Sequence, residues 1–271
     1  MKLLEQQIIL ITGSTDGIGK ITALNLARQN VHVIVHGRNE AKVKKVVDEL
    51  KAKTSNEKIK GFTADFSSLE EVRRFAENIK KEYQSIDVLI NNAGVGFADE
   101  RYSKDGYELR FAVNYLAPFL LTNLLLPEIK KKSPSRIVNV SSAGQSPVNF
   151  DDIMHEKHFD AVKAYCQSKL ALIMYTIDLA EKLKDENVTV NSLHPGTYLD
   201  TNMVRRSKIN PWGEPEGGAD AVVYLATSPE LSNVTGKYFN VKSIAIAESQ
   251  AYDKQARKRL WELSLELTNL K

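Results

Sequence analysis

Tyr165 and Lys169 stand four positions apart in a strongly helical run, so their side chains share one helix face. A phenol that titrates near ~10 is a poor proton carrier at neutral pH unless a neighbouring cation stabilises the phenolate. A lysine one turn away is placed to do so. The pattern is short, and about one Y-x-x-x-K is expected by accident in a chain of this size; Tyr238 and Lys242 form a second. That copy lies in the strand-like run Lys237-Tyr238-Phe239-Asn240-Val241. Residues four apart on a strand are ~13 Å from one another, so it is read as accidental. The first copy has company. Ser141-Ser142 follows the aliphatic run Ile137-Val138-Asn139-Val140, and Asn91-Asn92-Ala93-Gly94 follows Val88-Leu89-Ile90. Hydroxyls and amides thus sit at the carboxyl ends of strands, where parallel sheets bind ligands.

A third group is Thr12-Gly13-Ser14-Thr15-Asp16-Gly17-Ile18-Gly19, between the aliphatic run Ile8-Ile9-Leu10-Ile11 and a helical pattern. Glycine permits a tight turn with positive φ and lets backbone N–H groups approach an anion. The helix N-terminus adds a partial positive charge that suits a pyrophosphate. The spacing G-x-x-x-G-x-G differs from G-x-G-x-x-G, and Gly19-Lys20 is followed by Ile21, which excludes the phosphate loop of an ATPase. The turn reads as a dinucleotide site built from Gly13, Ser14, Thr15, Gly17, Ile18 and Gly19. After the second aliphatic run, Val31-His32-Val33-Ile34-Val35, the chain continues His36-Gly37-Arg38-Asn39. An acid there would bind a ribose 2′-hydroxyl, whereas an arginine accommodates a 2′-phosphate. Arg38 therefore favours NADP over NAD, although Asp16 adds negative charge beside the same pocket.

For these groups to converge, aliphatic runs must alternate with amphipathic ones. Residues 59–63 and Val188-Thr189-Val190 complete the strands, and residues 18–29, 40–53, 69–83, 109–132 and 162–184 read as helices. Unbroken apolar strands between helices imply a parallel sheet covered on both faces and wound by right-handed crossovers. The expected fold is α/β, a single-domain, doubly wound Rossmann-type parallel sheet with helices on both faces, because no linker divides residues 1–271. Residues 197–218, with Pro211, Pro215, Gly213, Gly217 and Gly218, break the alternation and read as a substrate-binding loop. The tail, 249–270, reads as a helix with Ala256, Leu260, Leu263 and Leu267 on one stripe, packed on the body or on a subunit neighbour.

Composition narrows the class. Of 271 residues, 42% are hydrophobic and 26% charged, which suits a folded globular chain and excludes intrinsic disorder. A formal charge of +3 is too balanced to make nucleic acid or an acidic membrane the main partner. The single cysteine, Cys166, supports neither an intrachain disulfide nor a cysteine-rich metal site, so the default is a reducing cytosol. Met1-Lys2-Leu3-Leu4-Glu5 begins no signal-peptide core. No stretch reaches the ~18 apolar residues of a membrane span; the best, 111–126, is broken by Asn114, Pro118, Thr122 and Asn123. A cytoplasmic protein is expected. His155-x-x-His158 beside Asp151 and Asp152 lacks a wider ligand set, so no metal is expected. There is no G-x-S-x-G to supply a hydrolase nucleophile.

The glycine turn 12–19, Asp65 after the third strand, Asn91-Asn92-Ala93-Gly94, Asn114, Ser142, Tyr165 with Lys169, and Pro195-Gly196 after the sixth strand resemble the short-chain dehydrogenase/reductase family. They follow the family order over most of the chain. The sequence is most similar to the retinol-dehydrogenase-like branch, through Arg136-Ile137-Val138-Asn139-Val140-Ser141-Ser142, Ala164-Tyr165-Cys166-Gln167-Ser168-Lys169-Leu170, Ser228-Pro229-Glu230-Leu231, Gly236-Lys237-Tyr238-Phe239 and Leu260-Trp261-Glu262. The membrane-anchoring N-terminal segment common in that branch is not read here, so its preference for retinoids is not carried over.

The resemblance implies hydride transfer between NADP(H), less favourably NAD(H), and a small-molecule carbonyl or alcohol. It implies Tyr165 as general acid–base and Lys169 as stabiliser of its phenolate and holder of the nicotinamide ribose. Ser142, rather than Ser141, would hydrogen-bond the reacting oxygen, and Asn114 would position a relay water. Asp65 and Phe66 would border the adenine, Asn92, Ala93 and Gly94 the adenosine side, and Pro195 and Gly196 would complete the cofactor site. On the residues alone, Asn114 is also open to a buried structural amide and Asp65 to a cap for a helix starting near Ser67, with the functional reading preferred for both.

Segments 95–97, 145–150 and 198–212 would border the substrate with Phe97, Val148, Phe150, Tyr198, Leu199, Met203 and Trp212. Such a lining fits a lipophilic aldehyde, ketone or secondary alcohol. Arg205, Arg206 and Lys208 are open to an acidic substituent or to solvent. The rival class is a dinucleotide-binding sensor or interaction protein without turnover. A sensor needs no proton donor, so Ser142, Tyr165 and Lys169 favour the enzyme. The long apolar helices and the tail leave a homo-oligomer open.

Overall fold

The aliphatic runs become strands of one sheet in the computed structural model, which describes residues 3–131 and 133–270. Met1, Lys2, Lys132 at the end of the predicted 109–132 helix, and Lys271 lie outside the described residues. The strands are β1 (Ile8–Ile11), β2 (His32–Gly37), β3 (Ile59–Thr63), β4 (Val88–Asn91), β5 (Ser135–Val140), β6 (Val188–His194), β7 (Tyr238–Asn240) and β8 (Ser243–Ala245). They lie side by side in the order β3-β2-β1-β4-β5-β6-β7-β8. Neighbours up to β7 are parallel, and β8 returns antiparallel to β7.

The helices are α1 (Gly17–Ala27), α2 (Glu40–Thr54), α3 (Leu69–Glu82), α4 (Leu109–Phe111), α5 (Ala117–Lys130), α6 (Ala161–Lys182), α7 (Asn202–Arg206), α8 (Pro215–Thr227) and α9 (Lys254–Leu267). Strand residues point alternately to two cores. Leu10, Ile34, Leu89, Ile137 and Val190 face α3, α5 and α6. Ile9, Ile11, Val33, Ile90, Val138 and Leu193 face α1, α2 and α8. With both faces covered, the central strands carry apolar residues on both sides, which is why their runs read as unbroken.

Three expectations change in detail. The predicted loop 197–218 contains α7 and the start of α8, with Pro215 at the first helical turn, where its missing N–H costs nothing. Gly217-Gly218 had read as loop. A Cβ on Gly218 would meet Leu199 at 2.5 Å, so the residue is small because α8 packs there. The run 109–132 is not one regular α-helix: residues Ala112–Leu116 form a π turn between α4 and α5. Pro118 cannot donate to the Asn114 carbonyl four residues earlier, so regular winding has no bond to make there. The segment Leu109–Lys130 contains an 18-residue window of mean hydropathy 1.4, long and apolar enough to cross a membrane by length and composition, with 78% of that window buried in the fold. The tail begins as a 3₁₀ turn, Ser249–Tyr252, before α9, whose Arg257 pairs with Asp178 at 2.6 Å and Glu181 at 3.0 Å on α6.

The carboxyl ends of β1, β2 and β3 are joined through His36. Its Nδ1 accepts the Gly13 N–H at 3.0 Å, and its Nε2 lies 3.1 Å from the Ala64 carbonyl. Because Nδ1 accepts, the bonds assign the ring proton to Nε2 and leave the imidazole neutral. The ring stacks on Phe66, with centroids 4.2 Å apart. Burial pulls the His36 pKa from 6.5 down to about 4, against the opposing pull of the Ala64 carbonyl and the Asp65 charge.

Below about pH 6.5 the unfolded chain therefore binds a proton that the folded chain excludes. Stability is expected to be full at neutral pH and to fall by about 3 kcal/mol as pH drops to about 4. Denaturant unfolding of the wild type and His36→Asn across this range isolates the effect. Identical pH slopes in the two proteins would contradict a buried neutral imidazole.

Candidate active site

The site lies at the carboxyl edge of the sheet, where β1, β4, β5 and β6 end and the N-terminal half of α6 crosses. Ser141 and Ser142, at the end of β5, point to different tasks. The buried Ser141 hydroxyl donates to the Lys169 carbonyl at 2.8 Å and ties α6 to β5. The Ser142 hydroxyl accepts the Gly144 N–H at 3.0 Å and is hydrogen-bonded to the Tyr165 hydroxyl. The Ser142 carbonyl accepts from Gln145 Nε2 and from the Tyr238 hydroxyl, both at 3.0 Å. Sequence reasoning missed Tyr238 in this role. It set aside Tyr238-x-x-x-Lys242 as accidental, and the Lys242 ammonium indeed lies over Tyr224 instead, 5.7 Å from its ring centre.

Tyr165 and Lys169 share one face of α6 as their spacing requires. Burial pushes the Tyr165 phenol above its ordinary pKa, and the Ser142 bond works against that rise. The Lys169 ammonium is 5.7 Å from the centre of the Tyr165 ring and donates to the Val140 carbonyl at 2.9 Å. It stands over the ring rather than at the hydroxyl, so Ser142 is the neighbour that lowers the phenol. Burial brings the Lys169 pKa from 10.5 down to about 8.

Asn114 sits in the π turn with its side chain fully buried. Its Oδ1 accepts the Val95 N–H at 2.7 Å, and its Nδ2 donates to the Val95 carbonyl and to Ser168 Oγ, both at 2.9 Å. Both expectations for Asn114 bear on this position: its side chain is a satisfied amide, and its backbone carbonyl lacks the α-helical donor that Pro118 would otherwise supply. Arg110, buried and paired with Glu108 at 3.0 Å, donates to the carbonyls of Gly96 at 2.9 Å and Ala98 at 3.1 Å. It thereby fixes the segment after Gly94, and it too was missed.

Gly13 has φ 64°, and a Cβ there would come within 2.7 Å of the Ala93 backbone. Only glycine lets the turn press against the end of β4. Asn92 closes that contact, its Nδ2 donating to the carbonyls of Thr12 at 2.9 Å and Gly13 at 3.0 Å. The N–H groups of Gly13 and Ser14 are spent on His36. That leaves Thr15, Ile18 and Gly19 at the N-terminus of α1 to face a ligand. Asp16 caps α1 and accepts from Asn202 of α7 at 2.5 Å, so the 197–218 segment rests on the glycine turn.

Gly94 forms the floor beside Lys169. A Cβ there would stand 3.3 Å from Asn114 Oδ1 and 3.4 Å from Lys169 Nζ. Arg38 is exposed at the end of β2, and its guanidinium bonds to no described residue. Pro195 and Gly196 follow β6 on the same edge, with Leu199 folded against Gly196. The glycine turn and the Lys169 ammonium on one edge of the sheet suit a nicotinamide dinucleotide.

Other predicted residues stand differently. The Asp65 carboxylate accepts the Ser67 N–H at 3.0 Å and pairs with Lys104 at 3.0 Å; the N-cap of α3 is Ser68. The Phe66 side chain is buried beneath His36 in the core. Val148 is buried in the core and does not line the site, and Phe150 packs under the Arg259 guanidinium, 4.6 Å from its ring centre. Arg205 is bound bidentately by Asp200, at 2.6 and 2.7 Å. Met203 and Tyr165 both approach the space above Gly96, and the Tyr198 and Trp212 rings meet at 4.9 Å.

The sequence pattern of the short chain dehydrogenase family matches residues 7–211. The chain is 36% identical to mouse retinol dehydrogenase 13, over 97% of this chain and 84% of that protein. It is likewise 36% identical to human polyprenol dehydrogenase, over 97% of this chain and 86% of the relative. The solved structure of the Pseudomonas aeruginosa RhlG/NADP active-site complex superposes with a TM-score of 0.71 at 27% identity, covering 89% of this chain and 97% of that one. With the tyrosine, lysine and serine gathered beside Gly94, and with this match across most of its length, the chain belongs to the short-chain dehydrogenase family, whose members transfer hydride with a nicotinamide dinucleotide.

Proposed function

We propose that the protein transfers hydride between NADP(H) and a lipophilic carbonyl or alcohol, with Tyr165 giving or taking the proton. The observation that carries this reading is the hydrogen bond between the Ser142 and Tyr165 hydroxyls beside the buried Lys169 ammonium. Tyr165, raised by burial, holds its proton at neutral pH and releases it to the substrate oxygen during reduction. Ser142 donates to the same oxygen and orients it. Lys169 stabilises the phenolate left behind, and the Asn114 carbonyl holds the water that returns a proton toward Lys169. The nicotinamide supplies the hydride in this direction and accepts it in the other.

Amides of Thr15, Ile18 and Gly19 at the start of α1 would hold the pyrophosphate, with Asn92, Ala93 and Gly94 beside the ribose and Arg38 at a 2′-phosphate. The NADP complex of the RhlG structure supports that preference. Phe97, Tyr198 and Met203 give the mouth an apolar rim, and relatives named for retinol and polyprenol support a lipophilic substrate. The single cysteine is consistent with a reducing, cytoplasmic setting. A sensor without turnover is not favoured, because it would have no use for the Ser142–Tyr165 pair.

Tyr165→Phe is expected to lower kcat for NADPH-dependent reduction of hydrophobic aldehydes and ketones by roughly 10²–10⁴-fold while cofactor still binds. A wild type as inert as the variant would favour the sensor. Arg38→Ala is expected to weaken NADPH roughly 10- to 100-fold and NADH little, read by fluorescence titration. Equal weakening of both would remove Arg38 as the discriminator.

A further inference from the structure

The ladder between β5 and β6 ends at Ser141, whose N–H bonds to the Leu193 carbonyl at 2.7 Å. One residue on, the Ser142 carbonyl takes its donors from side chains, Gln145 Nε2 and the Tyr238 hydroxyl, both at 3.0 Å. Gln145 is fixed in turn, its Oε1 accepting the Glu248 N–H at 2.7 Å. Tyr238 belongs to β7, and β6 lies between β7 and β5. Its ring is buried in the core shared with α6, so the hydroxyl reaches Ser142 across β6. Burial pushes the Tyr238 phenol up to about 12, which keeps it a donor throughout the neutral range.

We infer that Tyr238 is a positioning residue for the hydride transfer proposed above: it holds the Ser142 backbone so that the Ser142 hydroxyl meets the reacting oxygen beside Tyr165. The inference rests on that reading of Ser142. A serine has one torsion between its backbone and its oxygen, so its aim is set by what holds the oxygen and by how the backbone is turned. The Gly144 N–H holds the oxygen, at 3.0 Å. The two donors on the carbonyl turn the backbone. Gly144 and Gln145 follow Ser142 in the same loop, and their bonds travel with it. Tyr238 instead sits in a strand paired on both sides, opposite Ser192 of β6 and Ala245 of β8. Its hydroxyl is therefore the contact that refers the serine to the rigid sheet, and sites built on strands are held more precisely than sites on loops. Without that hydroxyl the carbonyl keeps Gln145 and the core keeps the ring, but the serine oxygen drifts from its place beside Tyr165. The loss falls on the transition state rather than on binding.

Tyr238→Phe removes the hydroxyl and keeps the ring. It is expected to lower kcat for NADPH-dependent reduction of a straight-chain aldehyde, decanal, by roughly 3- to 10-fold, the weight of one hydrogen bond, with the KM for decanal and the Kd for NADPH unchanged. A residue that only stabilised the fold would not produce that split. Nor would its effect depend on the serine: in a Ser142→Ala background, Tyr238→Phe is expected to cost nothing further, because the group it positions is gone. Wild-type kcat in Tyr238→Phe, or the same fold-loss with and without the Ser142 hydroxyl, would overturn the inference and leave the roles of Ser142 and Tyr165 standing. A Ser142→Ala protein as active as the wild type would overturn the reading of Ser142 and the inference with it.

Discussion

Lys169 carries its ammonium group into the interior, where 4% of the residue remains exposed and the Val140 carbonyl is its hydrogen-bond partner. Removing a charge from water is unfavourable, and burial lowers the Lys169 pKa from 10.5 to about 8. The surroundings are arranged around this cost. Ser141 pins the backbone of Lys169 to β5, Gly94 leaves the ammonium room, and Asn114 spends its side chain on Val95 and Ser168. The cation held this way stands over the Tyr165 ring, 5.7 Å from its centre.

Beneath the site, a buried amide network supplies the rigidity such placement needs. Asn91 Nδ2 donates to Thr122 at 2.9 Å and to Asn139 at 2.8 Å, and Asn139 donates to Thr176 at 2.8 Å. Four elements, β4, β5, α5 and α6, are thereby locked in one register. Hydrogen bonds in a low-dielectric core are electrostatically stronger than in water, so these bonds hold the four elements firmly. On the other flank, the neutral His36 does the same for the glycine turn.

The parts readable in the sequence were those whose signal is local. Strands buried on both faces carry apolar runs, as in Ile8-Ile9-Leu10-Ile11 of β1, Val33-Ile34-Val35 of β2, Val88-Leu89-Ile90 of β4 and Ile137-Val138 of β5. The face shared by Tyr165 and Lys169 follows from helical spacing, and the glycine turn from what positive φ demands. What escaped depends on partners distant along the chain. Tyr238 reaches Ser142 across 96 positions, and nothing local marks its hydroxyl. Nothing local marks Arg110 and Glu108, yet both are buried and paired, and Arg110 holds the loop after Gly94. Gly217-Gly218 mimicked a loop because small residues serve close packing as well as turns. Val148 looked like a substrate contact because an apolar residue near a site is indistinguishable, in sequence, from one in the core.

The pH dependence of carbonyl reduction tests the central claim directly. If the buried Lys169 ammonium supports the phenol, kcat with saturating NADPH stays level at neutral pH and falls as pH rises through about 8, where Lys169 loses its proton. Lys169→Arg, whose guanidinium keeps its charge beyond about pH 12, should move that fall to higher pH even if its plateau is lower. The same inflection near pH 8 in both proteins would contradict the account.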